Sequence, residues 1–141
     1  MNGLIITGHG SFASGLQTSV KLIAGEQLNI EYVDFMESDS TADLEKKLNS
    51  ALNRLEEAEG VLFLCDLVGG SPFKTAVTLS VQRPDAAVIG GANLTMIIET
   101  AIMKDNLTIE ELKTMAVNSG KEGIKAFEAK TRGRQGNGVG I

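Results

Sequence analysis

The only histidine of the chain, His9, stands between two glycines in Leu4-Ile5-Ile6-Thr7-Gly8-His9-Gly10-Ser11. Imidazole changes charge near neutral pH, so it can serve as nucleophile, acid, base or ligand with little tuning. Flanking glycines permit tight turns and let another group approach closely. Taken alone, the stretch supports two readings, a reactive centre or a capping or core histidine in a strand-to-helix turn. Asp66 sharpens the choice, because it ends a second apolar run, Val61-Leu62-Phe63-Leu64-Cys65. A carboxylate bonded to one ring nitrogen fixes the tautomer and leaves the other nitrogen as a nucleophile. By itself, Asp66 reads as a loop or helix cap.

Gly69-Gly70-Ser71-Pro72 is a third candidate. Two glycines ahead of a helix start expose backbone N–H groups, and the helix dipole adds positive potential. Such a turn can cradle a phosphate. The Ser71 hydroxyl can cap its own helix or donate to a phosphate oxygen. Histidine, carboxylate and anion cradle together suit phosphoryl transfer, which needs positioning and electrostatic stabilisation above all. The sequence has no acidic cluster of magnesium-site type and no Walker A pattern. Nucleotide hydrolysis is therefore not expected, and transfer between two protein side chains stays open. Two rivals stand beside this reading. Gly8-x-Gly10-x-x-Ala13 after a strand, with Asp34 about 20 residues further on, matches the dinucleotide-binding fingerprint, although His9 would crowd a pyrophosphate. The other rival is an interaction module in which His9 and Asp66 are structural only.

These residues need a scaffold, and the chain supplies one of α/β class. Its 141 residues suit one domain, and 43% are hydrophobic, enough for a core built mostly of Leu, Ile, Val and Ala. A net charge of −5 argues against nucleic acid or an anionic membrane surface as the main partner. A single cysteine, Cys65, excludes an internal disulfide, and no His/Cys spacing suits zinc, so neither metal nor cofactor is expected. No basic leader and no apolar run near the roughly 18 residues of a membrane span are visible, so the expected compartment is the cytoplasm.

Strands are expected over Gly3–Thr7, Ile30–Phe35, Val61–Cys65 and Ala86–Ile89. Apolar spacing and caps place helices at about 12–24 (capped by Ser11), from the 38–41 cluster to near Ala58, 72–82 (capped by Ser71), 94–104 and 109–119. The last of these carries a Thr108/Glu111 capping box. Met96, Met103 and Met115 fall on apolar helix faces and read as core. The strand–helix alternation predicts a mostly parallel open sheet with right-handed crossovers, for which the expected order is 2-1-3-4. Residues 123–129 read as either strand or helix, and 131–141 as a loose tail after a domain spanning 1–130. Sites in such sheets lie beyond the strand carboxyl ends, where strand order reverses. His9, Asp66 and Gly90-Gly91 all sit at expected strand ends.

The chain also resembles a known family. Thr7-Gly8-His9-Gly10, Gly25-Glu26-Gln27, Asp34-Phe35, Val61 to Asp66, Gly69-Gly70-Ser71-Pro72-Phe73 and Gly91-Ala92-Asn93-Leu94 are similar, in combination, to the IIA component of the mannose/fructose/sorbose family of the sugar phosphotransferase system. The likeness runs from Leu4 to about Phe127. It implies that His9 accepts a phosphoryl group from the phosphocarrier HPr and passes it to a histidine of a IIB (EIIB) partner, without metal or nucleotide. It further implies that Asp66 orients the ring and that Gly10, Gly70 and Ser71 attend the phosphoryl group. Membrane components EIIC and EIID are then indirect partners. The family also implies a homodimer with an exchanged antiparallel fifth strand, for which 123–129 is the candidate. Mannose-type members carry Thr-Trp where this chain has Leu67-Val68, the candidate partner-docking pair, and Pro where it has Thr95. Thr-Gly-His-Gly-x-Phe-Ala-Ser-Gly, Asp-Leu-x-Gly-Gly and a Gly-Ile terminus resemble the N-acetylgalactosamine or amino-sugar branch.

Overall fold

The computed structural model describes residues 1–130. Four strands form one parallel sheet: β1 (Asn2–His9), β2 (Ile30–Phe35), β3 (Gly60–Cys65) and β4 (Ala86–Gly90), in the order β2-β1-β3-β4. Five helices connect and follow them: α1 (Phe12–Ala24), α2 (Thr41–Arg54), α3 (Ser71–Ser80), α4 (Leu94–Met103) and α5 (Ile109–Glu122). The expected fold class and strand order are both found.

The unbroken apolar runs explain which strands are central. Leu4, Ile5 and Ile6 of β1, and every residue of β3, are buried, as strands covered on both faces must be. Alternate residues then feed two separate cores. Leu4, Ile6, Leu62 and Leu64 pack with α1, α4 and α5, whereas Ile5, Val61, Phe63 and Cys65 pack with α2 and α3. Helices α1 and α3 therefore leave the neighbouring strands β1 and β3 on opposite faces of the sheet. The cleft between their N-termini is the switch point.

Several boundaries shift for local reasons. Strand β1 runs on to His9, so the histidine is the last strand residue, in register with Phe35 of β2. Helix α2 stops at Arg54 instead of near Ala58; the amide of Leu55 turns back to Ala51 and Leu52, and that of Ala58 to Leu55. The capping boxes Ser40/Asp43 and Thr108/Glu111 are both formed. The two serine caps expected at the site are not. Ser11 makes no capping hydrogen bond, and Asp34 reaches across from β2 to accept the Ser14 amide at 2.9 Å. At α3 the N-cap is Gly70 and Ser71 is already the first helical residue. Met96 is buried and Met115 packs on the core, but Met103 is 36% exposed at the end of α4. Residues 124–130 form no helix or strand within this chain and are exposed, with Ile124 and Phe127 at 74% and 89%. The expected tail, 131–141, lies outside the described residues. No described helix is long and apolar enough to cross a membrane.

Candidate functional site

The parallel pairing of β1 with β3 sets Thr7 beside Cys65, so His9, two residues past Thr7, and Asp66, the next after Cys65, meet at the sheet's carboxyl edge. One oxygen of Asp66 accepts both the His9 backbone amide, at 2.9 Å, and the ring Nδ1, at 2.8 Å. The other accepts the Leu67 amide at 2.8 Å. Burial alone would push this carboxyl up. The hydrogen bonds from the His9 backbone and ring outweigh it, with help from the Leu67 amide, and hold Asp66 below the usual carboxylate range. An ionised Asp66 accepts only, so Nδ1 carries the proton, and in the neutral ring it is Nε2 that presents a lone pair.

Nε2 faces the start of α3. A Cβ added at Gly70 would lie 2.7 Å from the ring's Cε1 and 3.4 Å from Nε2. The missing side chain thus keeps the helix N-terminus against the imidazole. Pro72 has no N–H, and the amides of Ser71 and Phe73 head α3 without an intrahelical acceptor. Since Ser71 is not the cap, its hydroxyl is left for other partners. An anion beside this end gains about 0.3–1 kcal/mol from the helix dipole.

Gly8 serves the site by absence as well. A Cβ there would sit 2.6 Å from the Phe12 ring and 2.9 Å from Cγ of Asp66, so ring and carboxylate share the space above the strand. Gly10 takes φ +56, a left-handed value suited to glycine, and donates its amide to the Phe35 carbonyl at 2.7 Å. The ring of Phe35 meets the imidazole edge to face, centroids 6.0 Å apart. The His9 side chain is 45% exposed and that of Asp66 only 13%, so the imidazole is reachable while the carboxylate bonded to it is covered.

His9, Asp66, Gly10, Gly70 and Ser71 thus gather at one edge of the sheet. Leu67 and Val68 lie beside them, 57% and 73% exposed. Phe12 and Phe35 also belong to the site, and nothing in their own spacing marks them. Only the pairing of β2 with β1 places Phe35 next to the histidine. The dinucleotide reading loses its footing here, because the Ser14 amide at the α1 N-terminus, where a pyrophosphate would sit, is already held by Asp34. Cys65 is fully buried, and burial, with Asp66 alongside, pushes its thiol up to about 12. Among the described residues no group of three or more His, Cys, Asp or Glu side chains gathers as a metal site would need.

Fold and site define an open, parallel α/β protein with an oriented histidine at its switch point. The family model described as "PTS system fructose IIA component" matches residues 3–117, and the chain belongs to that family. It is 38% identical over 128 residues to the mannose-specific EIIAB component of Escherichia coli, covering 90% of this chain but 40% of that longer protein. It is 31% identical over 112 residues to the fructose-specific EIIA component of Bacillus subtilis, covering 79% of this chain and 77% of that one. Among solved structures, the EIIA component from Streptococcus agalactiae superposes with a TM-score of 0.82 at 31% identity, over 89% of this chain and 97% of that one. The mannose/sorbose-specific IIA subunit from Enterococcus faecalis gives 0.83 at 26% identity, over 92% and 97%.

Proposed function

We propose that this IIA protein is a phosphoryl relay and that His9 is its carrier. The Nε2 lone pair attacks the phosphorus of a phosphohistidine on HPr. The donor's N–P bond breaks as the Nε2–P bond forms, and the donor imidazole leaves with the bonding pair. The Nδ1 proton stays on His9, stabilised by Asp66. Return transfer to a histidine of an EIIB partner follows the same geometry in reverse, without metal, nucleotide or other cofactor.

The observation that carries this reading is the 2.8 Å bond from Nδ1 to a covered carboxylate, with Nε2 turned toward a bare helix N-terminus. The transferred group would rest against the Ser71 hydroxyl and the first amides of α3, in the space Gly70 leaves free. Gly10 contributes room at the ring, its own amide being tied to Phe35. Leu67 and Val68 form an apolar shoulder on which partner proteins would dock. The membrane components EIIC and EIID would act further down the chain of transfer, and the protein would work in the cytoplasm.

A homodimer belongs to the same proposal. The outer edge of β4 pairs with no strand among the described residues, and residues 123–129, with Ile124 and Phe127 exposed, offer a segment that a second copy could lay against it. Sedimentation at working concentration should give a dimer; a monomer would remove this part of the proposal. The relay itself is tested by incubating the chain with enzyme I, HPr and labelled phosphoenolpyruvate. One acid-labile phosphate per chain is expected. Unchanged labelling of His9→Ala would sink the assignment.

A further inference from the structure

We propose that Phe35 is a positioning residue for His9, holding the imidazole so that Nε2 stays aimed at the α3 N-terminus while Nδ1 stays on Asp66. The proposal rests on the relay reading and adds a residue to it. Among the described residues the exposed ring has one hydrogen-bonded nitrogen, Nδ1. A single hydrogen bond sets distance well but tolerates a wide tilt of the donor ring. A nucleophile that must meet phosphorus in line needs that tilt removed.

The strand order supplies two walls. Strand β1 has β3 on one side and β2 on the other. From the β3 side come Asp66 and the Gly70 backbone. From the β2 side comes Phe35, in register with His9. The two rings meet at 63° with centroids 6.0 Å apart, the edge-to-face arrangement that aromatic quadrupoles favour. Phe35 is itself anchored, because it packs against the core cluster beneath α2 and α3. Its carbonyl also accepts the Gly10 amide at 2.7 Å, which turns the chain away immediately after the histidine. One residue therefore fixes the ring through its side chain and the exit of the loop through its backbone. A side-chain substitution separates the two roles, since the carbonyl remains.

The test uses the whole chain, labelled with ¹⁵N-histidine. With a single histidine in the sequence, one set of ring signals reports on His9 alone. In the unaltered protein those signals should show the Nδ1–H tautomer. In Phe35→Leu they should move toward the averaged tautomers of a mobile ring. The kcat for transfer from phospho-HPr should fall about 3- to 10-fold, with KM for phospho-HPr little changed. Phe35→Tyr, which restores a ring, should restore both signals and rate. A Phe35→Leu protein with unaltered tautomer and kcat would overturn the proposal. So would a loss confined to KM, or a Tyr variant as impaired as Leu. Should the Leu variant not fold, Phe35→Met replaces it and is read by the same criteria. If the unaltered protein accepts no phosphoryl group, the relay reading falls, while the tautomer comparison still decides the role of Phe35.

Discussion

Replacing Gly70 by alanine should slow phosphoryl transfer without unfolding the protein. At φ −74 and ψ 171, Gly70 has a backbone that alanine adopts without strain. Gly→Ala at such a position stabilises by about 0.4–1 kcal/mol through the unfolded chain. The added Cβ, however, would stand 2.7 Å from Cε1 of His9. Bringing that gap to the 3.4 Å of ordinary contact moves the ring by about 0.7 Å, the difference of the two distances. A shift of that size, taken along the 2.8 Å bond to Asp66, stretches it to about 3.5 Å, where little hydrogen bonding remains. Loss of a hydrogen bond to a charged partner costs about 1.5–3 kcal/mol. If the transition state depends on that bond, the rate falls about 10- to 150-fold. The methyl group also intrudes on the space beside Nε2. The assay is transfer of labelled phosphate from phospho-HPr in a rapid quench, beside thermal melts of both proteins. A Gly70→Ala protein that transfers within about threefold of the unaltered rate would refute the claim that this helix start abuts the nucleophile.

Three further outcomes follow from the same geometry. Asp66→Asn should keep the fold but lose tautomer control, lowering transfer at least tenfold; an unaffected rate would leave Asp66 a structural role only. Because the folded protein holds the Asp66 carboxyl low, its contribution to stability is present above the unfolded value, about 3.9, and is lost as pH falls through the folded value. Urea titrations of Asp66→Asn should accordingly show a shallower acid limb, with Asp39, Asp43 and Asp105, also held low, keeping part of it. Val68→Asp, on a side chain 73% exposed, should raise KM for HPr several-fold without moving the melting temperature, as read by steady-state transfer. Cys65, fully buried with its thiol pushed up to about 12, should resist iodoacetamide at pH 8 in the folded protein and react on unfolding in urea, as followed by mass.

Much of the fold could be read from the sequence because its signals are local. The apolar runs of β1 and β3 mark strands covered on both faces, and period-3.6 spacing places α1 at about 12–24, where it is found. The Thr108/Glu111 box starts α5 where the sequence places it. His9 and Asp66 were legible for the same reason, each a lone polar group closing an apolar run. The caps at the site were not. Gly70 takes the place expected of Ser71, which frees a hydroxyl, and Asp34 does the work expected of Ser11. A side chain 20 residues away in sequence can cap a helix only once β2 lies beside β1.

The sequence by itself determined an α/β domain and singled out His9 and Asp66 at the ends of two apolar strands. Only the tertiary structure decided which nitrogen of His9 is free, through the Nδ1 bond to Asp66 and the bare backbone of Gly70. It alone placed the rings of Phe12 and Phe35 at the site, because both positions depend on strand register and on the space two glycines leave empty. Register and empty space belong to pairs of distant segments, and no single stretch of sequence encodes them.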